Sequence, residues 1–352
     1  MSGGNRLPGR YQTLDLFAGC EGLTLGLKRA RFQVVNAIEI DSVAAVTYGH
    51  NHPEVHLWTK DIRTVTTVAI KRKLRLHAGA LHLLAACPPC QGFSSIRTLN
   101  GGTAVRDARN DLLLEVLRFV NDLKPMAVML ENVPGLADDD RMLTFESGLA
   151  RLGYIVQWDI LNTADYAIPQ RRRRLIILAS RLGKIPFAPR ARIKMTVRDA
   201  IAGLPKPTKS ADLLHSHGEQ RTARILRRIK RIPKDGGSRG DLGTRSQLPC
   251  HRACDGFHDV YGRMAWNDLA PTITGGCINP SKGRFLHPNQ DRAVTLREAA
   301  LLQTFPPGYK FSMQRGKYHV AEQIGNALPP EFIERHSRQI YRHLQRYGVE
   351  VA

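Results

Sequence analysis

The chain has no run of eighteen consecutive apolar residues, and its first ten, Met1 to Arg10, hold no apolar signal core. The expectation is a protein without a membrane span or secretory leader, working in the cytoplasm, or in the nucleus if eukaryotic. Cysteine is sparse, six in 352 residues at irregular spacing, which argues against a disulfide scaffold and reads as reduced thiols. Cys87 and Cys90 have the C-x2-C spacing of half a zinc site, but a well-spaced second pair is missing. Only Cys250, His251, Cys254 and His258 are available, and no bound metal is expected. Acidic residues are few as well: 31 Asp and Glu against 52 Lys and Arg, a formal charge of +21.

That charge exceeds what solubility asks for and points to a polyanionic partner. Between Phe187 and Gly262 there are sixteen Lys and Arg against seven Asp and Glu, a surplus of nine. Within this region Arg221, Arg224, Arg227, Arg228, Lys230 and Arg231 surround Ile225, Leu226, Ile229 and Ile232. The spacing predicts a helix with one apolar stripe and one cationic face. An isolated face of this kind is often just solvated; with the whole chain so basic, contact with a nucleic-acid backbone is the favoured reading. A hydrophobic content of 42% over 352 residues fits a large globular domain plus a smaller one.

The first 180 residues alternate strand and helix patterns. Strands are expected at Tyr11 to Phe17, Val34 to Glu39, Leu81 to Ala86, Ala127 to Leu130, Tyr154 to Leu161 and Leu175 to Ala179. Helices are expected at Leu23 to Arg31, Ser42 to His50 with Ser42 as cap, around Val65 to Leu76, Asn110 to Leu123 and Met142 to Leu152, with a polar stretch before the third. Repeated units of this kind imply an α/β, doubly wound, Rossmann-like fold on a parallel sheet. The segment Ser94 to Ala108, with Gly101 and Gly102 at its middle, is long for a connector and reads as a lid.

Four stretches carry candidate chemistry. The strand ending at Ala86 runs into Cys87-Pro88-Pro89-Cys90-Gln91; two prolines stiffen the turn, so Cys90 sits on a rigid loop past a strand end, suited to a nucleophile. The first strand leads into a glycine-rich turn, Asp15-Leu16-Phe17-Ala18-Gly19-Cys20-Glu21-Gly22, with Gly26 one turn on, where a ligand can approach the backbone closely. Glu39 ends the second strand, where a carboxylate accepts from a ribose diol. Such a turn fits a nicotinamide enzyme or a methyl donor, but Glu21 would repel a pyrophosphate and G-x-G-x-x-G is absent. An adenosine without phosphates, as in S-adenosylmethionine, suits it better. Glu131, at the end of an apolar strand, is expected to hold a proton near neutral pH, with closure of the strand by a helix cap as the alternative. Gln170, Arg172 and Arg174 alternate into a strand and share a face, either as solvated charge or as partners of an anion.

In this order Asp15 to Gly22, Pro88-Pro89-Cys90-Gln91, Glu131-Asn132-Val133, Gln170-Arg171-Arg172-Arg173-Arg174 and Gln323-Ile324-Gly325-Asn326-Ala327-Leu328-Pro329-Pro330 resemble the DNA (cytosine-5)-methyltransferases over nearly the whole chain. The segments Asp259 to Trp266 and Pro271 to Thr274 look like those preceding the last motif in bacterial modification enzymes. The resemblance implies methyl transfer from S-adenosylmethionine to C5 of a cytosine flipped out of duplex DNA. Cys90 matches the nucleophile that adds to C6, Glu131 the carboxyl engaging N3 and the exocyclic amine, Arg174 the arginine near O2, and Arg172 its backbone-facing neighbour. Phe17, Gly19 and Gly22 match the cofactor turn, Glu39 the ribose ligand, and Ile40 the residue on adenine. Asp61 and Ile62 match the adenine edge, while Pro89, Leu112 and Asn326 match positions that close the site. Glu21, Arg173 and Ala321 depart from the family pattern.

By the same resemblance, residues 1–186 with 317–352 form the catalytic domain, the terminal helix Glu331 to Tyr347 packing on it, and 187–316 form a small domain that recognises the DNA target. A monomer is expected, acting with a separate restriction endonuclease. An RNA methyltransferase on the same scaffold, or a nucleic-acid-binding protein that has lost catalysis, are the competing readings. The basic 187–262 region speaks against the first and the intact Cys90, Glu131 and Arg174 against the second.

Overall fold

Thr13, Leu14, Asp15 and Leu16 are all buried, so the first strand, β1 (Gln12–Leu16), is covered on both faces, as a central strand of an α/β sheet must be. The structure, a computed structural model, describes residues 10–20, 22–89, 111–216, 221–243 and 259–351. After β1 come α1 (Gly22–Arg29), β2 (Gln33–Glu39), α2 (Ser42–Asn51), β3 (His56–Thr59), α3 (Thr67–Leu74), β4 (Leu83–Ala86), α4 (Leu112–Leu123), β5 (Ala127–Asn132), α5 (Asp140–Arg151), β6 (Ile155–Asn162) and β7 (Arg173–Ser180). Then follow α6 (Val197–Ile201), α7 (Leu213–Ser216), α8 (Ala223–Arg231), α9 (Leu296–Leu302), α10 (Gly316–Asn326) and α11 (Pro330–Arg346).

The strands form one sheet in the order β3-β2-β1-β4-β5-β7-β6. The chain winds outward from β1 to β3, returns to β4 and winds the other way, so the order reverses between β1 and β4, where open α/β sheets bind ligands. Two expectations are corrected here. β7 is antiparallel to both β5 and β6: only residues 163–172 join β6 to β7, too few for the dozen or so that a parallel crossover needs. The polar stretch before α3 contains β3, an edge strand paired with β2 alone, whose half-exposed residues give no apolar run to read.

Helix α4 forms because Leu112, Leu113, Val116, Phe119, Val120 and Leu123 recur at helical spacing and are all buried. They pack with Met142, Phe145 and Leu149 of α5 on the sheet face that carries Leu14, Leu16, Leu84, Ala86, Val128 and Leu130. On the terminal helix α11, Ser337 lies against the sulfur of Met129, and α11 also crosses α1 so closely that a Cβ on Gly26 would stand 2.5 Å from Cβ of Ile333. Gly26 thus serves helix packing and not the approach of a ligand. The cap of α2 is corrected as well: Asp41 Oδ1 accepts from the N–H groups of Val43 and Ala44, which Ser42, as the first helical residue, is not placed to do.

The chain divides into two compact units, Met1–Asn162 with Arg173–Pro189 and Pro330–Ala352, and Thr163–Arg172 with Arg190–Pro329. Residues 317–329 fall with the second unit. The reason is a buried amide network. Gln303 Nε2 donates to the carbonyls of Ile324 and Ala327, Gln170 Nε2 donates to Gln303 Oε1 at 2.8 Å, and Ile273 N–H donates to Gln170 Oε1. Elsewhere in this unit Ile229 and Ile232 pack with Val260, Tyr261 and Leu286. The guanidinium of Arg263, wholly buried, donates to the carbonyls of Ile229, Ile232, His287 and Gln290 and to Asp291. The expected basic helix is α8, capped by Thr222, with Arg224, Arg227 and Lys230 exposed and Arg228 over the ring of Tyr261. Among the described residues no helix is long and apolar enough to cross a membrane.

Candidate active site

Strand register places the site. Asp15 pairs with Ala37 and with Ala85, Leu16 with Ala86, and Ala86 with Leu130. One residue further on, Phe17, Glu39, Cys87 and Glu131 form a row across the carboxyl ends of β1, β2, β4 and β5. Because side chains alternate along strands, Glu39, Cys87 and Glu131 share their face with Asp15, while Phe17, its backbone in the left-handed region, packs with Leu14 and Leu16 on the other face. β7 adds Arg174 by the same parity, since Glu131 pairs with Ile176.

At the centre Arg174 Nε donates to Glu131 Oε1 at 2.8 Å, with only 14% and 12% of the two side chains exposed. Burial first, then Glu131 and Asp15, push the Cys87 thiol well above its usual range, against the pull of Arg174. Asn132 Nδ2 donates to the carbonyl of Pro88 and its Oδ1 accepts from Val133 N–H, so β5 braces the proline turn. Pro89 is exposed at the last described position before Cys90. Cys90, the lid segment Ser94 to Ala108, Glu21, and Cys250, His251, Cys254 and His258 lie outside the described residues. Among the described residues, no group of His, Cys, Asp or Glu has the arrangement of a metal site.

The glycine turn lies on the β1–β2 side. Phe17 takes φ 61° and Gly19 φ 58°, and a Cβ on Gly19 would meet nothing within 4 Å, so the turn faces open space. An aromatic residue in the left-handed region is uncommon and costs energy, a feature that collects at ligand sites. Glu39 Oε2 accepts from Gly19 N–H and its Oε1 from Asp41 N–H, each at 2.7 Å. Burial raises Glu39, opposed by these two backbone donors. Ile40 beside it is 65% exposed, an uncovered apolar side chain. Asp61 caps the turn that contains the buried Ile62, and its carboxylate is held by Arg63 and kept below the usual range. Gly22 is buried at the start of α1, and Leu112 is buried at the start of α4.

Beneath the turn, Asp15 is fully buried. Thr24 Oγ1 donates to its Oδ2 at 2.6 Å, Oδ1 has no hydrogen-bond partner, and burial pushes the carboxyl up to about 7. Sequence reading assigned no role to Asp15, Asp41, Asn132 or Gln303 by themselves, and Cys87 entered only as half of a zinc spacing at which no metal was expected. Short polar residues at strand ends give no periodic signal, and their partners are distant in sequence.

Along the segment leading into β7, Gln170 and Arg172 are buried while Arg171 and Arg173 are exposed, the alternation expected of extended chain. The terminal nitrogens of Arg172 donate to the carbonyls of Ile273 and Gly325, each at 2.9 Å. Those bonds tie backbone together. Asn326 is exposed at the end of α10.

The donor set fits a cationic, phosphate-free adenosine cofactor. The half-buried Glu39 carboxylate has the acceptors for a diol and favours a positive group, and Ile40 offers an uncovered apolar surface. The described turn contains no Lys or Arg to meet a phosphate.

The sequence matches the family model of the C-5 cytosine-specific DNA methylases over residues 11–342. It is 35% identical over 332 residues to the type II methylase M.HgiDII of Herpetosiphon aurantiacus, covering 90% of this chain and 91% of that one. It is 32% identical over 371 residues to the type II methyltransferase M.XorII of Xanthomonas oryzae pv. oryzae, covering 95% and 85%. Among solved structures, a chain encoded within an E. coli prophage and named for DNA modification superposes with a TM-score of 0.73 at 24% identity, covering 95% of this chain and 99% of that one, a likeness of fold.

Proposed function

The chain belongs to the C-5 cytosine-specific DNA methylase family, and from that premise we propose that it methylates C5 of a cytosine flipped out of a specific duplex sequence, using S-adenosylmethionine. The observation that carries this reading is the Glu131–Arg174 pair at 2.8 Å, beside the proline turn that leads directly into Cys90. Cytosine C5 is a poor nucleophile. The Cys90 thiolate adds to C6, and the electron density released into the ring makes C5 enamine-like. Glu131 engages N3 and the exocyclic amine, while Arg174 holds Glu131 in place and meets the O2 side, so negative charge developing on the ring falls among fixed polar groups. After transfer the C5 proton leaves, the C6–S bond breaks with its electron pair returning to sulfur, and 5-methylcytosine is released. Arg172 ties together the backbone at Ile273 and Gly325.

The cofactor supplies an electrophilic methyl group. Glu39 would hold its ribose, Ile40 its adenine face, Asp61 and Ile62 the adenine edge, and the turn Phe17, Gly19 and Gly22 its methionine portion; Pro89 and Leu112 would close the site. The second unit carries target recognition, with the cations of α8 on the phosphate backbone. Working in the cytoplasm as a monomer, the protein pairs functionally with a restriction endonuclease, in keeping with the type II relatives. Plasmid DNA incubated with the protein and donor should yield 5-methylcytosine at one recurrent sequence by bisulfite sequencing; scattered modification, or none, would contradict specific methylation.

A further inference from the structure

We propose that Cys87 is a positioning residue whose thiol donates a hydrogen bond to the Glu131 carboxylate and, together with Arg174, fixes the orientation that Glu131 presents to the target base. The inference rests on the reading of this site as a cytosine methyltransferase centre.

Register argues for the placement. Ala86 pairs with Leu130, so Cys87 and Glu131 are the next neighbours across β4 and β5, on one face of the sheet. The backbone of Cys87 is held from the strand on its other side, since its N–H donates to the Leu16 carbonyl at 3.2 Å. The following carbonyl, that of Pro88, accepts from Asn132 Nδ2 at 3.2 Å. With the chain tied to both β1 and β5, the thiol has little freedom to turn away. Arg174 approaches the same carboxylate from β7, its Nε 2.8 Å from Oε1.

The protonation state of the thiol decides its role. Asp15 from β1, Glu131 from β5 and Arg174 from β7 are the charged groups that bear on it, and burial with the two carboxyls outweighs the guanidinium. Cys87 therefore stays a thiol, a donor and not a second nucleophile. A carboxylate held by one cation can rotate about its own axis; a donor from a second strand removes that freedom. Preorganisation of this kind raises the rate of the chemical step more than the affinity for substrate.

The test uses the full chain with Cys87→Ala, which removes the donor, and Cys87→Ser, which keeps one. Loss of a weak donor to a charged acceptor should lower kcat of Cys87→Ala by about tenfold, with KM for duplex DNA unchanged within about twofold and most of the rate recovered in Cys87→Ser. The infrared S–H stretching band of Cys87, identified by its loss in Cys87→Ser, should move to higher frequency when Glu131→Gln weakens the acceptor. A Cys87→Ala enzyme as fast as the parent, a Cys87→Ser enzyme as slow as Cys87→Ala, or an S–H band unmoved by Glu131→Gln would overturn the inference. If the parent protein makes no 5-methylcytosine, the functional reading fails, and the infrared comparison then still decides whether the bond exists.

Discussion

The buried carboxyl of Asp15 makes stability depend on pH in a way that one substitution should remove. Its ordinary value of 3.8 is raised to about 7 in the fold, by burial before any other cause. A carboxyl whose folded value lies above its unfolded one binds its proton more tightly in the native state. Its stabilising contribution is complete below the unfolded value and is lost as pH rises through about 7. Integrated between about pH 5 and pH 8, that linkage removes about 2–3 kcal/mol. Asp15→Asn keeps the shape and an oxygen to accept from Thr24 Oγ1, but cannot ionise. The assay is urea denaturation of both proteins at several pH values. Taking the difference between them cancels the other titrating groups, among them the buried His82 and His336, whose values burial lowers. The variant should gain on the parent steadily from pH 5 to 8. Parallel curves would refute the assignment of Asp15 as a neutral acid in the native state.

Gly26→Ala should destabilise the protein by about 1–3 kcal/mol in thermal or urea unfolding, because the new Cβ overlaps Ile333 and the Pro330 carbonyl and α11 must shift. Arg174→Gln leaves Glu131 without its cation in a site where both side chains are nearly covered; about 2–4 kcal/mol of stability should be lost, and kcat/KM for methylation should fall by about a hundredfold. Neutralising Arg224, Arg227 and Lys230 on α8 to Gln should reduce the slope of log affinity against log salt for nonspecific duplex by about 2–3; an unchanged slope would remove α8 from the DNA-facing surface.

The units of the sheet were legible because buried strands and amphipathic helices leave periodic marks. The helix expected at Asn110 to Leu123 and the strand expected at Leu81 to Ala86 agree within two residues with α4, Leu112–Leu123, and β4, Leu83–Ala86. The reversal of β7 was not legible: it depends on how few residues separate β6 from β7, and its apolar run Leu175 to Ala179 reads the same in either direction. The edge strand β3 was hidden because half-buried residues carry little apolar signal. At the site, Glu131, Arg174 and Glu39 were visible from their place at strand ends. Their supports were not, because Asp41 competes with Ser42 for the α2 cap through one oxygen, and Asn132 reaches back forty-four residues to the Pro88 carbonyl. Gln303, which keeps residues 317–329 in the second unit, acts through carbonyls that no sequence pattern marks.

The central claim is that the sulfur of Cys90 bonds to a pyrimidine carbon during turnover. A duplex carrying 5-fluorocytosine at the mapped position cannot release fluorine as the proton is released, so the C6 adduct should persist. Mass spectrometry of the digested complex should then find the modified DNA attached to the peptide containing Cys90, and find no adduct with Cys90→Ser. An adduct on another residue, or one that survives the Cys90→Ser substitution, would contradict the account.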